Sequence, residues 1–136
     1  MSKFTGELIV TPYKSTAQPD GKNWRLVQDV AFRSDLIGLI VVAAGFITDF
    51  ASTPAAIWNI IPPWGVYGPA AVVHDWLYWT QPCTRTAADY VLREAMIDLQ
   101  VREDLIQTIY DGVRVGGQHS WDRDAVNRAA GKEHAN

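Results

Sequence analysis

The hydrophobic pattern of this chain changes period once, and that change limits the possible folds more than any other feature. Up to about residue 50 the apolar residues form short β-type segments, and from about residue 54 they recur at helical spacing. Strands first and helices second, with no alternation between them, argue against a doubly wound parallel sheet and predict an α+β fold.

Three segments make the β half. Leu8-Ile9-Val10 with Tyr13 is short, apolar and stops near Pro12. Trp24 to Phe32 alternates, with Trp24, Leu26, Val30 and Phe32 on one side. Between them, Pro19-Asp20-Gly21 signals a turn, because Pro presets φ and Gly supplies φ > 0. Leu39 to Ile47 is β-branched and continuous, as expected of a central strand covered on both faces. The prediction is a small N-terminal antiparallel sheet.

The helical half opens at Ser52-Thr53-Pro54, a hydroxyl cap followed by Pro, with a short helix to about Ile61 and a rigid turn at Pro62-Pro63-Trp64-Gly65. Gly68-Pro69 starts a helix through about Trp79, and Thr84-Arg85-Thr86 starts the next, Ala88 to about Val101, with Val91, Leu92, Ala95, Met96 and Leu99 as its apolar stripe. A last helix runs from about Glu103 to Val115 and is stopped by Gly116-Gly117. The result is a C-terminal bundle of about three helices containing an antiparallel hairpin. The 136 residues fit one domain, expected over residues 1–121, with a polar, weakly patterned stretch over 122–136 that forms a loose tail or a docking segment.

Composition excludes several roles. A 48% hydrophobic chain buries a real core and is not disordered. The net charge of -3 and the lack of a basic block argue against nucleic acid and anionic membranes as partners. The longest apolar run, Leu36 to Ile47, is far short of the roughly 20 residues of a membrane helix, so no transmembrane segment is expected. The first residues lack a signal-peptide core, and synthesis and folding in a cytoplasm is the expectation. Cys83 is the one cysteine, so an intrachain disulfide or a cysteine zinc cage is impossible, and its position after Pro82 suits an ordinary unpaired thiol.

Chemistry concentrates in Ala70-Ala71-Val72-Val73-His74-Asp75-Trp76-Leu77-Tyr78. His74 and Tyr78 are four apart and share a helix face, while Asp75 sits about 100° around. Asp89 lies in the next helix behind Ala87 and Ala88, whose small side chains allow close approach. Across a short turn, His74 is about 9 Å before one helix end and Asp89 about 7 Å past the next start, so they fall at similar heights. A carboxylate there would fix the imidazole tautomer and leave the other ring nitrogen to activate water. The same pair could equally tie two helices together, and Asp75 could pair with Arg93.

A second cluster sits at the strand-to-helix junction. Asp49 could form an Asx turn or join the His74 site, and Ser52 is first of all a good N-cap. A Ser52–His74–Asp89 triad lacks the Gly-x-Ser-x-Gly elbow. Asp75 with Asp49 or Asp89 offers hard oxygen ligands, which suit a weakly bound Ca²⁺, Mg²⁺ or Mn²⁺. Of the six tryptophans, Trp58, Trp64, Trp76 and Trp79 surround this region in sequence; Trp76 suits the core and Trp64 an exposed rim.

Three motifs in order, Gly45-Phe46-Ile47-Thr48-Asp49-Phe50-Ala51-Ser52-Thr53-Pro54, then Ala71 to Tyr78, then Arg85 with Ala88-Asp89, resemble the domain of unknown function 1353 family over roughly residues 4 to 121. The resemblance implies a phage or prophage setting, with genes for tail or lysis functions nearby. His74, Asp75, Tyr78 and Asp89 also resemble the His-Asp-x-x-Tyr pattern of phospholipase A2 sites, in which a general-base His stands beside a calcium-ligand Asp and bonds a later Asp. Here Gly65 and Gly68 make no clear calcium loop, and no disulfides flank the helices.

Two functions follow as expectations. One is a small hydrolase acting on an ester or cell-envelope substrate, with His74, Asp89 and Asp49 catalytic, Asp75 holding a cation, and Ser52, Tyr78 and Trp64 around them. The other is a non-enzymatic virion or tail-associated protein that contacts other virion proteins and in which the same residues stitch the helices together.

Overall fold

The computed structural model describes residues 3–13, 23–48 and 67–134. Its β layer is two small antiparallel sheets rather than one. Strands β1 (Lys3–Thr5), β4 (Val30–Ser34) and β5 (Gly38–Val42) form the first, in the order β1-β4-β5. Strands β2 (Val10–Tyr13), β3 (Asn23–Leu26) and β6 (Ile47–Thr48) form the second, in the order β2-β3-β6. The stretch from Trp24 to Phe32 is therefore two strands, interrupted at Val27-Gln28-Asp29 where the chain passes between sheets. Leu26 and Val30 are four residues apart, an even number, so the alternation stays in phase across the break and conceals it.

The expected central strand from Leu39 to Ile47 is also corrected. It ends at Val42, turns through Ala43 to Phe46, and resumes as β6. Gly45, at φ +90°, adopts a conformation open mainly to glycine, and its N–H donates to the Leu26 carbonyl at 2.8 Å. Asp29 secures the turn by accepting from the Ala44 N–H at 2.7 Å. Only one face of β5 is covered: Ile40 and Val42 are buried, while Leu39 and Val41 are 57% and 42% exposed. Phe32 pairs with Ile40 and Val30 with Val42, which directs this face of β4 and β5 into the core.

Three helices follow in the described residues: α1 (Gly68–Thr80), α2 (Arg85–Asp98) and α3 (Glu103–Ala129). Pro69 occupies the first turn of α1, and Gln81, left-handed at φ 51°, closes it. Helix α2 begins at the Thr84-Arg85-Thr86 signal, where the Thr84 side chain caps it by accepting from the Ala87 N–H at 3.1 Å. Helix α3 does not stop at Gly116-Gly117. A Cβ on Gly117 would overlap the Tyr78 hydroxyl and lie 2.9 Å from an Arg85 nitrogen, so this glycine is a point of contact between helices. The buried stripe Ile106, Ile109, Val113 continues through Gly117, Ser120 and Asp124, and this packing outweighs the low helix propensity of the two glycines.

The expected tail over 122–136 is accordingly helical to Ala129. Gly131, at φ +76°, then turns the chain so that His134 is buried against β6, its Nδ1 2.6 Å from the Ile47 carbonyl. Sheets and helices are joined by polar contacts as well: Ser34 Oγ donates to Glu94 at 2.6 Å, and the Asp35 N–H donates to its other oxygen at 2.9 Å. The Pro19-Asp20-Gly21 turn, the helix over residues 54–61 and the Pro62-Pro63-Trp64-Gly65 turn lie outside the described residues.

Candidate functional site

Helices α1 and α2 meet at His74 and Asp89, which face each other as their heights suggest. His74 Nε2 is 2.8 Å from Asp89 Oδ1. Asp89 stands at the centre of a wider network. Tyr78 donates to the same oxygen at 2.6 Å, while Arg114 and Arg85 donate to Oδ2 at 2.6 and 3.2 Å. Arg85 also donates to the backbone carbonyls of Val113 and Arg114, at 3.0 and 3.2 Å, which fastens α2 to α3. The side chains of His74 and Asp89 are both 0% exposed.

These contacts set the charge state. Burial alone would raise the Asp89 carboxyl, but hydrogen bonds and charge from His74, with further bonds from Tyr78 and Arg114, hold it below the usual carboxylate value. The ionised carboxylate only accepts, so the bonded His74 Nε2 carries a proton. Burial, followed by the Asp89 hydrogen bond, pushes the Tyr78 hydroxyl well above an ordinary tyrosine, with Arg85 opposing. The half-buried Cys83 thiol is also pushed up, by burial and then by Asp89, which disfavours a thiolate nucleophile.

Asp75 turns away into a second cluster. Thr48 Oγ1 donates to Asp75 Oδ2, and Asp75 Oδ1 is 3.1 Å from His134 Nε2. Asp124 Oδ2 is 3.6 Å from the same nitrogen. One ligand atom each from Asp75, Asp124 and His134 lie within 4.8 Å of one another, and all three residues are buried. Asp75 thus joins neither Arg93, which lies 5.9 Å over the Tyr110 ring, nor Asp89. The His134 ring stacks on Phe46 at 5.2 Å with an interplanar angle of 6°.

The structure brings together His74, Tyr78 and Asp89, and places Asp75 in the neighbouring cluster. Asp49, Ser52, Trp58 and Trp64 lie outside the described residues. Trp76 and Trp79 are half-buried against Phe46 and His134. Sequence reasoning missed Thr48, Arg114, Asp124 and His134. Asp124 was open to detection, since it falls on the helical stripe of Val113, Gly117 and Ser120. His134 carried no local signal, because a backbone turn delivers it.

No curated protein matches the chain significantly, and no solved structure does. A family model described as "Protein of unknown function (DUF1353)" matches residues 24–113, a span running from β3 to Val113 in α3 and including His74, Asp75, Tyr78, Arg85 and Asp89. The chain belongs to that family.

Proposed function

We propose that this protein is a non-enzymatic structural or assembly component, acting in the phage or prophage setting that its family resemblance implies. The observation that carries this reading is the closure of its most reactive-looking pair: His74 and Asp89 are each 0% exposed. A general base must reach the proton it removes, directly or through a water. Tyr78, Arg85 and Arg114 donate to Asp89 beside His74, so the carboxylate is already engaged in holding the three helices together. Outward-facing Leu39 and Val41 supply apolar surface suited to contact with other proteins.

The test is complementation of a gene deletion with His74→Gln, beside quantitative mass spectrometry of purified particles and assembly intermediates. A structural component should be found in one of those fractions, and the variant should restore particle yield in proportion to its folded amount. A His74→Gln protein that folds as well as the parent and restores nothing would overturn the reading.

One observation favours a second reading, a hydrolase of ester or cell-envelope substrates. His74 bonds Asp89, the contact that the resemblance to phospholipase A2 sites implies for this reading, and Tyr78 donates to the same oxygen. Asp75 faces His134 instead, so this version uses a His–Asp pair and water without a cation at Asp75. Turnover of phospholipid, ester or peptidoglycan that disappears in His74→Ala while the fold survives would establish it.

A further inference from the structure

We propose that Asp75, Asp124 and His134 form a divalent cation site for a transition ion of the Zn²⁺ or Mn²⁺ type, clasping β6, α1 and the end of α3 together. The cluster draws its members from three parts of the fold: Asp75 from α1, Asp124 from α3, and His134 from the turn beyond it. Imidazole nitrogen with two carboxylates suits borderline first-row ions better than Ca²⁺ or Mg²⁺, which prefer all-oxygen shells.

The surrounding bonds arrange these groups as ligands. His134 Nδ1 faces the Ile47 carbonyl at 2.6 Å; a carbonyl cannot donate, so the proton sits on Nδ1 and Nε2 points at the carboxylates. Thr48 holds one Asp75 oxygen and turns the other toward that nitrogen. Ring tautomer fixed by a backbone carbonyl, and carboxylate fixed by a hydroxyl, are the supports that metal ligands usually have. Metal–ligand bonds of about 2.0–2.1 Å in a tetrahedral shell separate ligand atoms by about 3.3 Å. The Nε2 distances of 3.1 Å to Asp75 and 3.6 Å to Asp124 bracket that value.

Asp124 decides between a metal and a proton. It is 2% exposed, yet among the described residues it accepts no hydrogen bond: Oδ2 is 3.6 Å from His134, and Oδ1 is 3.9 Å from the exposed Arg123 guanidinium. An imidazolium would bond Asp75 at 3.1 Å but stand 3.6 Å from Asp124, beyond ordinary hydrogen-bond length, so one proton does not serve both carboxylates. A dication bonds all three and neutralises both carboxylates. A cavity of about 300 Å³ bordered by Gly45, Trp79, Lys132 and His134 reaches the cluster on its His134 side.

The test is calorimetric and thermal titration of chelator-treated full chain with Zn²⁺, Mn²⁺, Ca²⁺ and Mg²⁺. One equivalent of Zn²⁺ or Mn²⁺ should bind and raise Tm, with weaker response to Ca²⁺ and Mg²⁺. Asp124→Asn and His134→Gln should each weaken binding at least tenfold; Asp124→Asn should retain a metal-free Tm close to the parent. Absence of saturable binding at millimolar Zn²⁺ and Mn²⁺ would overturn the proposal. So would binding unchanged in both variants, which would place the ion on exposed groups such as His119. A Co²⁺ adduct whose visible spectrum is insensitive to His134→Gln would do the same. None of these outcomes bears on the assembly reading, which rests on His74 and Asp89.

Discussion

Asp89 keeps its charge in the interior because His74, Tyr78, Arg85 and Arg114 all donate to it. Removing it strands two guanidinium groups and an imidazole, and Asp89→Ala should cost about 3–5 kcal/mol in urea denaturation. The network also sets a pH window. The Asp89 carboxyl is lowered in the fold, so its contribution is complete above the unfolded value of about 3.9 and is lost as pH falls through the folded value. The Tyr78 hydroxyl is raised, so its contribution is complete below about 10 and is lost as pH rises through the folded value. Stability measured against pH should fall at both ends, with a shallower acid limb in Asp89→Asn and a shallower alkaline limb in Tyr78→Phe. The His74–Asp89 contact was legible in sequence because helical rise and a short turn fix heights along a hairpin. Arg114 was not, since nothing local tells a surface arginine from one whose guanidinium reaches inward from a third helix.

At the scale of elements, the two adjacent glycines of α3 separate what sequence shows from what packing decides. Gly-Gly is a sound stop signal for an isolated helix, yet here one glycine faces open space and its neighbour abuts Tyr78 and Arg85. Gly116→Ala should stabilise by up to about 1 kcal/mol through helix propensity alone. Gly117→Ala gains the same propensity but must displace a hydroxyl fixed on Asp89, and a net loss of about 1–3 kcal/mol is expected. Parallel denaturation curves of the two variants check this. The strand boundaries were lost for a related reason: the turn at Gly45 is set by backbone bonds that join Leu26 to Gly45 and Phe46, not by a break in hydrophobicity. The α+β order survives such errors because it depends on the change of period, which single turns do not disturb.

Across the whole molecule, the contacts differ widely in the length of chain they close. His74 and Asp89 are 15 residues apart, Arg114 and Asp89 are 25 apart, and His134 reaches Ile47 across 87. Loop-closure entropy makes the longest of these about 1.6 kcal/mol costlier than the shortest. The helical hairpin should therefore be organised in the folding transition state, and the His134 contact added after it. In chevron kinetics, Asp89→Asn should slow folding, whereas His134→Gln should leave folding unchanged and speed unfolding. The turn at Gly131 then has a temporal meaning: it places the last-formed contact over a strand of two residues, so β6 is the segment from which amide protons should exchange first when the native state opens.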